Sequence, residues 1–252
     1  MPGSCNRKTF VHTFMLAILM ATVGFAAQAA VIKVTLTVDN SYALFTGTHT
    51  AASTFVGTDP NWPSAETYNF NLAANQYIYV VTASDLSVAQ GFLGQFENLS
   101  TGYKFYSSDP QWQVMATGLG NSGAPYSGSV ADVALLTQEI LDANAGGNAS
   151  NGWVGLTAGP NNGGGPWGTI AGIDAAAQWV WYSSNGDPDP TTPGFNHKEW
   201  LVFRIAVAAT PNDPVPNPIP NPNAVPEPGT LLLATLGLAA LVARRRPAAR
   251  VS

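Results

Sequence analysis

Between Pro211 and Pro228 eight prolines recur, spaced mostly by Asn, Asp, Val and Ile. Each proline fixes its own φ and removes a backbone donor, so neither a helix nor an internal strand can run through this stretch. Residues 210–224 therefore read as an extended polyproline-type linker, and whatever packs a core must precede it. The 252-residue chain is divided again near its start. Arg7 and Lys8 lead into the apolar run Phe10–Phe25, which is followed by Ala27-Gln28-Ala29. A charged n-region, an apolar h-region and an A-x-A site predict a signal peptide over residues 1–29, cleaved after Ala29. Cys5 is the only cysteine and leaves with the signal, which excludes a disulfide framework and a thiolate metal site. One exported domain remains, residues 30–209, long enough to bury a core.

Beyond the linker stand Val225, Pro226, Glu227 and Pro228, then the uncharged run Thr230–Ala243, then Arg244, Arg245 and Arg246. As a transmembrane helix that run reaches about 21 Å, short of the ~30 Å hydrocarbon core. Snorkelling arginines and local thinning bridge the difference, and the three arginines act as a cytoplasmic stop-transfer cluster. Motif, helix and basic cluster, in this order behind a signal peptide, resemble the PEP-CTERM sorting signal of Gram-negative bacteria, here residues 225–252. The resemblance implies that an exosortase reads Pro226, Glu227 and Pro228 and removes the helix during export. It further implies a precursor anchored in the inner membrane and a product at the cell surface or in the extracellular matrix. The alternative is an ordinary tail anchor behind a proline spacer.

Within the domain the period is two. Ile32, Val34, Leu36 and Val38 alternate with Lys33, Thr35 and Thr37, which predicts a strand with one apolar and one wet face. Asp39-Asn40-Ser41 is turn chemistry, and Tyr42–Phe45 resumes as a strand. Tyr68–Leu72, Phe92–Glu97, Trp112–Ala116, Gln178–Tyr182 and Trp200–Val207 are further strands. Tyr77–Ala83 is a continuous β-branched and aromatic run, expected of a strand covered on both faces. One segment breaks the pattern: a capping box at Ser129–Asp132, with Val133, Leu136, Ile140 and Leu141 at helical spacing, predicts a helix over Val130–Asn144. The Gly- and Asn-rich stretch Gly146–Gly172 reads as a long loop. The predicted fold is mainly β, an antiparallel β-sandwich with one short helix.

The series Val34–Phe45, a strand, an Asp-Asn turn and a Tyr-containing strand ahead of Thr46-Gly47-Thr48, is similar to the opening hairpin of galactose-binding-like jelly rolls. Trp62, Tyr68–Leu72, Tyr77–Ala83 and Gly91–Glu97 stand in the order of that fold, and Asp109-Pro110-Gln111-Trp112 resembles its Asp-x-x-Trp. The similarity runs over about Val31–Ala116, with Ala177–Trp181 resembling a further strand. It implies a jelly-roll sandwich. The usual Asn-Gly of the first hairpin is missing, and the Gly-rich insertion is foreign to the pattern.

Charge narrows the function. The chain carries 10 basic and 15 acidic residues, and only 10% of its residues are charged. Arg7, Lys8, Arg244, Arg245, Arg246 and Arg250 sit at the ends, leaving Lys33, Lys104, Lys198 and Arg204 for the domain. Nucleic acid is excluded as a partner, since phosphate neutralisation takes clustered cations. No G-x-S-x-G, H-E-x-x-H, P-loop or dinucleotide fingerprint occurs. His49 and His197 are isolated, and no catalytic residue is assigned. Glu97 and Glu199 are the strand-borne acids that a glycosidase pair would need in one cleft. Asp187 and Asp189 offer two loop carboxylates to a calcium ion, whose sites take six to eight oxygens. Asn98-Leu-Ser100 and Asn148-Ala-Ser150 are sequon-like.

Seven tryptophans are the remaining clue. Trp179 and Trp181 share one strand face and are expected in the core. Trp153 and Trp167 flank the Gly/Asn loop and are expected to be exposed. With Trp62 they are the candidate sugar-stacking residues. The sequence thus points to an exported non-catalytic envelope or matrix protein, glycan-binding or structural and adhesive within exopolysaccharide, with no cofactor. A secreted glycoside hydrolase with an unrecognised carboxylate pair is the alternative, and self-assembly through weakly charged edge strands is a third reading.

Overall fold

The computed structural model describes residues 29–73, 75–86, 89–120 and 130–207. Residues 1–28, the linker 210–224 and the sorting segment 225–252 lie outside the described residues. Two antiparallel sheets and one helix make up the domain. Sheet A contains β1 (Ala30–Asp39), β4 (Glu66–Leu72), β6 (Gly91–Asn98), β7 (Tyr103–Tyr106), β9 (Thr157–Asn161) and β10 (Gln178–Trp181). Its order is β4-β1-β6-β10-β9, with β7 paired to the far half of β6. Sheet B runs β3-β2-β5-β11-β8, from β2 (Ser41–Thr48), β3 (Ala51–Asp59), β5 (Tyr77–Ala83), β8 (Gln113–Gly120) and β11 (Glu199–Ala206).

The two-residue period decides which side chains meet between the sheets. Ile32, Val34, Leu36 and Val38 of β1 point into one core with Leu44, Ile78, Val80 and Phe203 from sheet B. Phe92 closes the gap directly, its ring centroid 5.3 Å from Phe203 and 5.4 Å from Trp112. The opposite residues of sheet B form a second core. Phe45, Tyr79, Met115 and Val202 face outward and are covered by the helix α1 (Val130–Ala145) through Leu136, Ile140 and Ala143. The helix therefore stands where its 3.6-residue period predicts, but Leu141 falls off the buried stripe and is exposed. All seven residues of β5 are buried, as a strand with both faces covered must be.

Several expectations change. The opening segment Val34–Phe45 is no hairpin, because the chain passes from sheet A to sheet B between Asp39 and Ser41. β2 turns back onto β3 instead, and Thr46-Gly47-Thr48 belongs to the strand, so the turn comes at His49-Thr50. The predicted wet face of β1 holds only as far as Lys33, since Thr35, Thr37 and Asp39 are buried under loops. Gly146–Gly172 is interrupted by β9, whose Thr157-Ala-Gly-Pro-Asn161 has little intrinsic strand preference and is ordered by pairing with β10.

Gly159 shows why a glycine stands in that short strand. A Cβ there would lie 2.1 Å from the Trp181 ring and 3.2 Å from the Trp179 carbonyl oxygen. Gly155, four residues earlier, has open space around the same position. Gly159→Ala should destabilise the protein by about 1–3 kcal/mol through overpacking, whereas Gly155→Ala should leave the urea midpoint within experimental error. Equal midpoints for the two variants would show that Trp181 does not press on β9.

Candidate functional site

The outer face of sheet A carries the densest chemistry. On β1, β6 and β10 the outward side chains are Thr35, Thr37, Asp39, Leu93, Trp179 and Trp181, in register across the strands. The segment after β9 folds down over them. Trp167 stacks on Trp179 with centroids 4.3 Å apart and planes 17° from parallel, and its Nε1–H donates to Asp39 Oδ2 at 2.7 Å. Asn162 holds the same segment closed: its amide donates to the Ile170 and Ile173 carbonyls, and its Oδ1 accepts the Ile170 N–H. Trp181 donates from Nε1 to the Pro188 carbonyl at 2.8 Å and ties in the loop before β11. Burial raises the Asp39 carboxyl to about 6, with the nearby Asp85 charge adding to the rise, while the Trp167 hydrogen bond opposes it.

The three tryptophans proposed as sugar platforms do not form one surface. Trp167, expected to be exposed, is only 6% accessible and spends its ring on Trp179. Trp62 is half-buried at the rim of the same shell, where its carbonyl accepts the Thr37 hydroxyl at 2.7 Å. Trp153 packs half-buried against the outer core of sheet B, with its Nε1–H on Asn144 Oδ1 at 2.9 Å. The Arg204 guanidinium lies 3.7 Å from its ring centroid. Trp179 and Trp181 are buried as expected, but in the outer shell of sheet A; the residue between them, Val180, enters the inter-sheet core.

The acids separate likewise. Glu97 stands between Lys33 and Lys104 in the register of sheet A. Glu199 is buried in sheet B and accepts from the Ser184 N–H at 3.0 Å and the Ser184 hydroxyl at 2.8 Å. They do not share a cleft. Asp187 and Asp189 belong to a chain of Asx turns. Asn185 Oδ1 accepts the Asp187 N–H, Asp187 Oδ1 accepts the Asp189 N–H, and Asp189 Oδ1 accepts the Thr191 N–H and hydroxyl. The Thr191 bonds hold Asp189 below the usual carboxylate range. Among the described residues no three His, Cys, Asp or Glu side chains converge on a metal position.

His197 is buried, and neither ring nitrogen makes a hydrogen bond of normal geometry. Burial lowers its pKa against the opposing pull of the Thr192 carbonyl, Asp85 and Asp187. His49 is lowered by burial and by Arg204. Asn98 and Asn148 of the sequon-like triplets are engaged in their own turns through Oδ1.

One cluster was not foreseen. Glu66 at the start of β4 faces Asp59 at the end of β3, and the Tyr42 and Tyr68 hydroxyls meet beside it at 3.1 Å. Burial and then the Asp59 carboxylate raise Glu66 above the usual range, and burial raises both tyrosines. The sequence signal was the turn Pro60–Ser64, which folds the two acids back on each other.

Val225, Pro226, Glu227, Pro228, Arg244, Arg245 and Arg246 fall outside the described residues. Residues 224–246 match the family of PEP-CTERM protein-sorting motifs. No curated protein matches the chain, and no solved structure does. The motif makes the protein an exported one, with a membrane-anchored precursor and an exosortase as its processing partner.

Asp39 gives a pH prediction with a definite sign. Its folded pKa lies above its unfolded value of 3.8, so its contribution is full below about pH 4 and is lost as pH rises through 6. Two units correspond to about 3 kcal/mol. Asp39→Asn keeps an acceptor for Trp167. On going from pH 4 to pH 8, urea unfolding should shift in favour of the variant by up to that amount. A wild-type-to-variant difference that is the same at both pH values would refute the assignment.

Proposed function

We propose that the exported sandwich acts without catalysis in the bacterial cell envelope or extracellular polysaccharide matrix, as a structural or adhesive component that holds glycan. The observation that carries this reading is the sorting motif at residues 224–246, which fixes the route the domain takes. The domain's own chemistry is spent on folding: Glu199 caps the Ser184 turn, Asp187 and Asp189 build one loop, and Asp39 anchors Trp167. Trp62 and Trp153, both half-buried, retain ring surface for stacking on sugar, and they would do so at separate places. The subtype is read as a galactose-binding-like jelly roll, supported by the order of Trp62, β4, β5 and β6 along the chain.

Replacing Pro226, Glu227 and Pro228 with alanine should leave a full-length precursor in the inner membrane. The wild type should lose about 25 C-terminal residues and leave that membrane. Mass spectrometry of cell fractions reads the difference, and released wild-type protein still ending beyond Arg250 would overturn the reading.

A hydrolase is the second reading, and one arrangement favours it. Glu66 and Asp59, two acids that the turn after β3 brings together, are the pair it would draw on, and burial raises the Glu66 carboxyl above its ordinary range. On that reading Glu66→Gln lowers release of reducing sugar from matrix polysaccharide about 100-fold or more. Wild-type protein that releases none removes it.

A further inference from the structure

The edges of this sandwich are not alike: β7, which pairs only with β6, is four residues long and carries Lys104. β3 slips register against β2 twice, between Leu44 and Phe45 and between Thr46 and Gly47, and α1 packs beside it. β8 has its outer groups occupied: Val114 and Val154 exchange both backbone bonds at 2.9 Å, and the Ala116 N–H donates to Ser150 Oγ. β9 carries Pro160 and a register shift against β10. Bulges, prolines and covering segments are the means by which sheet edges are kept from pairing with other chains.

β4 has none of them. Its seven residues pair with β1 without a slip, from Leu36 opposite Glu66 to Ala30 opposite Leu72. Among the described residues no strand lies on its other side. It contains no proline and no lysine, and its one charge, Glu66, stands at the end. Tyr68 and Phe70, half-buried, form the open margin of the inter-sheet core, while Thr67, Asn69 and Asn71 are exposed on the other face.

We propose that β4 is a pairing edge and that its occupant is β4 of a second copy, antiparallel and centred on Asn69. The strand is complementary to itself in that register. Tyr68 of each copy stands opposite Phe70 of the other, an aromatic pair that extends the core across the seam. Thr67 stands opposite Asn71, and the two Asn69 amides face each other, all able to hydrogen-bond. Glu66 meets Leu72, so no like charges are brought together. The two copies then share one continuous sheet about a two-fold axis, the isologous arrangement that closes on itself. This goes beyond the envelope reading and does not rest on it.

Sedimentation of the processed protein over a concentration series tests the edge and the register together. Wild type should dimerise. Thr67→Lys with Asn71→Lys puts like charges opposite each other twice and should weaken the dimer about tenfold or more. Thr67→Lys with Asn71→Glu loses the same Thr35 hydroxyl contact, yet faces opposite charges and should stay dimeric. Thr54→Lys, on the exposed part of β3, should have no effect. The proposal is overturned by a monomeric wild type, by equal dimerisation of the two double variants, or by loss of the dimer in Thr54→Lys.

Discussion

Sheet A is covered because Trp167 is fastened twice, by its ring to Trp179 and by its N–H to Asp39. A segment so rich in glycine has little apolar surface of its own with which to offset the entropy of ordering. One large aromatic, docked face to face and hydrogen-bonded, supplies what the small residues cannot. Asn162 then shapes the chain locally, and Ile170 and Ile173 fill in around the indoles. With Trp181 holding the next loop, one shell of buried side chains covers a sheet that would otherwise have a wet outer face.

That arrangement explains what could be read from the residues alone. Strands whose alternation is driven by the inter-sheet core, such as Ile32–Val38 and Tyr68–Leu72, declare themselves because burial repeats every second residue. The helix declares itself through Leu136 and Ile140. β3 and β9 are not legible, since Ala51–Asp59 and Thr157–Asn161 contain small residues, glycine and proline and become strands through a neighbour's hydrogen bonds, and β7 is too short, at four residues, to show a period. The passage from one sheet to the other at Asn40 looks in sequence like a hairpin turn. Only the non-local partners of β1 and β2 separate the two.

Legibility of function divides the same way. The sorting tail is a short linear signal, so its residues stand adjacent in sequence. A site on a sandwich gathers residues from distant strands. Glu97 and Glu199 had the right chemistry but stand on different sheets, while Asp59 and Glu66 meet because a tight turn joins β3 to β4. Trp167 was misjudged for a related reason: a Gly/Asn-rich neighbourhood suggests solvent, yet it is the flexibility of that neighbourhood that lets an indole reach the sheet.

The helix on the opposite face is held by different physics. Arg204, 2% accessible, places its guanidinium against Trp153 and donates to Gln113 Oε1 and Asn144 Oδ1. Its partners are ring faces and amide oxygens, none of which changes charge between mild acid and mild alkali. The two coverings of the sandwich are therefore moored by different chemistry. The sheet A cover is tied to a carboxyl that burial raises to about 6, and the helix to a guanidinium that keeps its charge. Mild acid relieves the charge buried at Asp39, while on the helical side the groups that respond are Glu139, raised by burial, and His49, lowered by burial and by Arg204, rather than Arg204 itself.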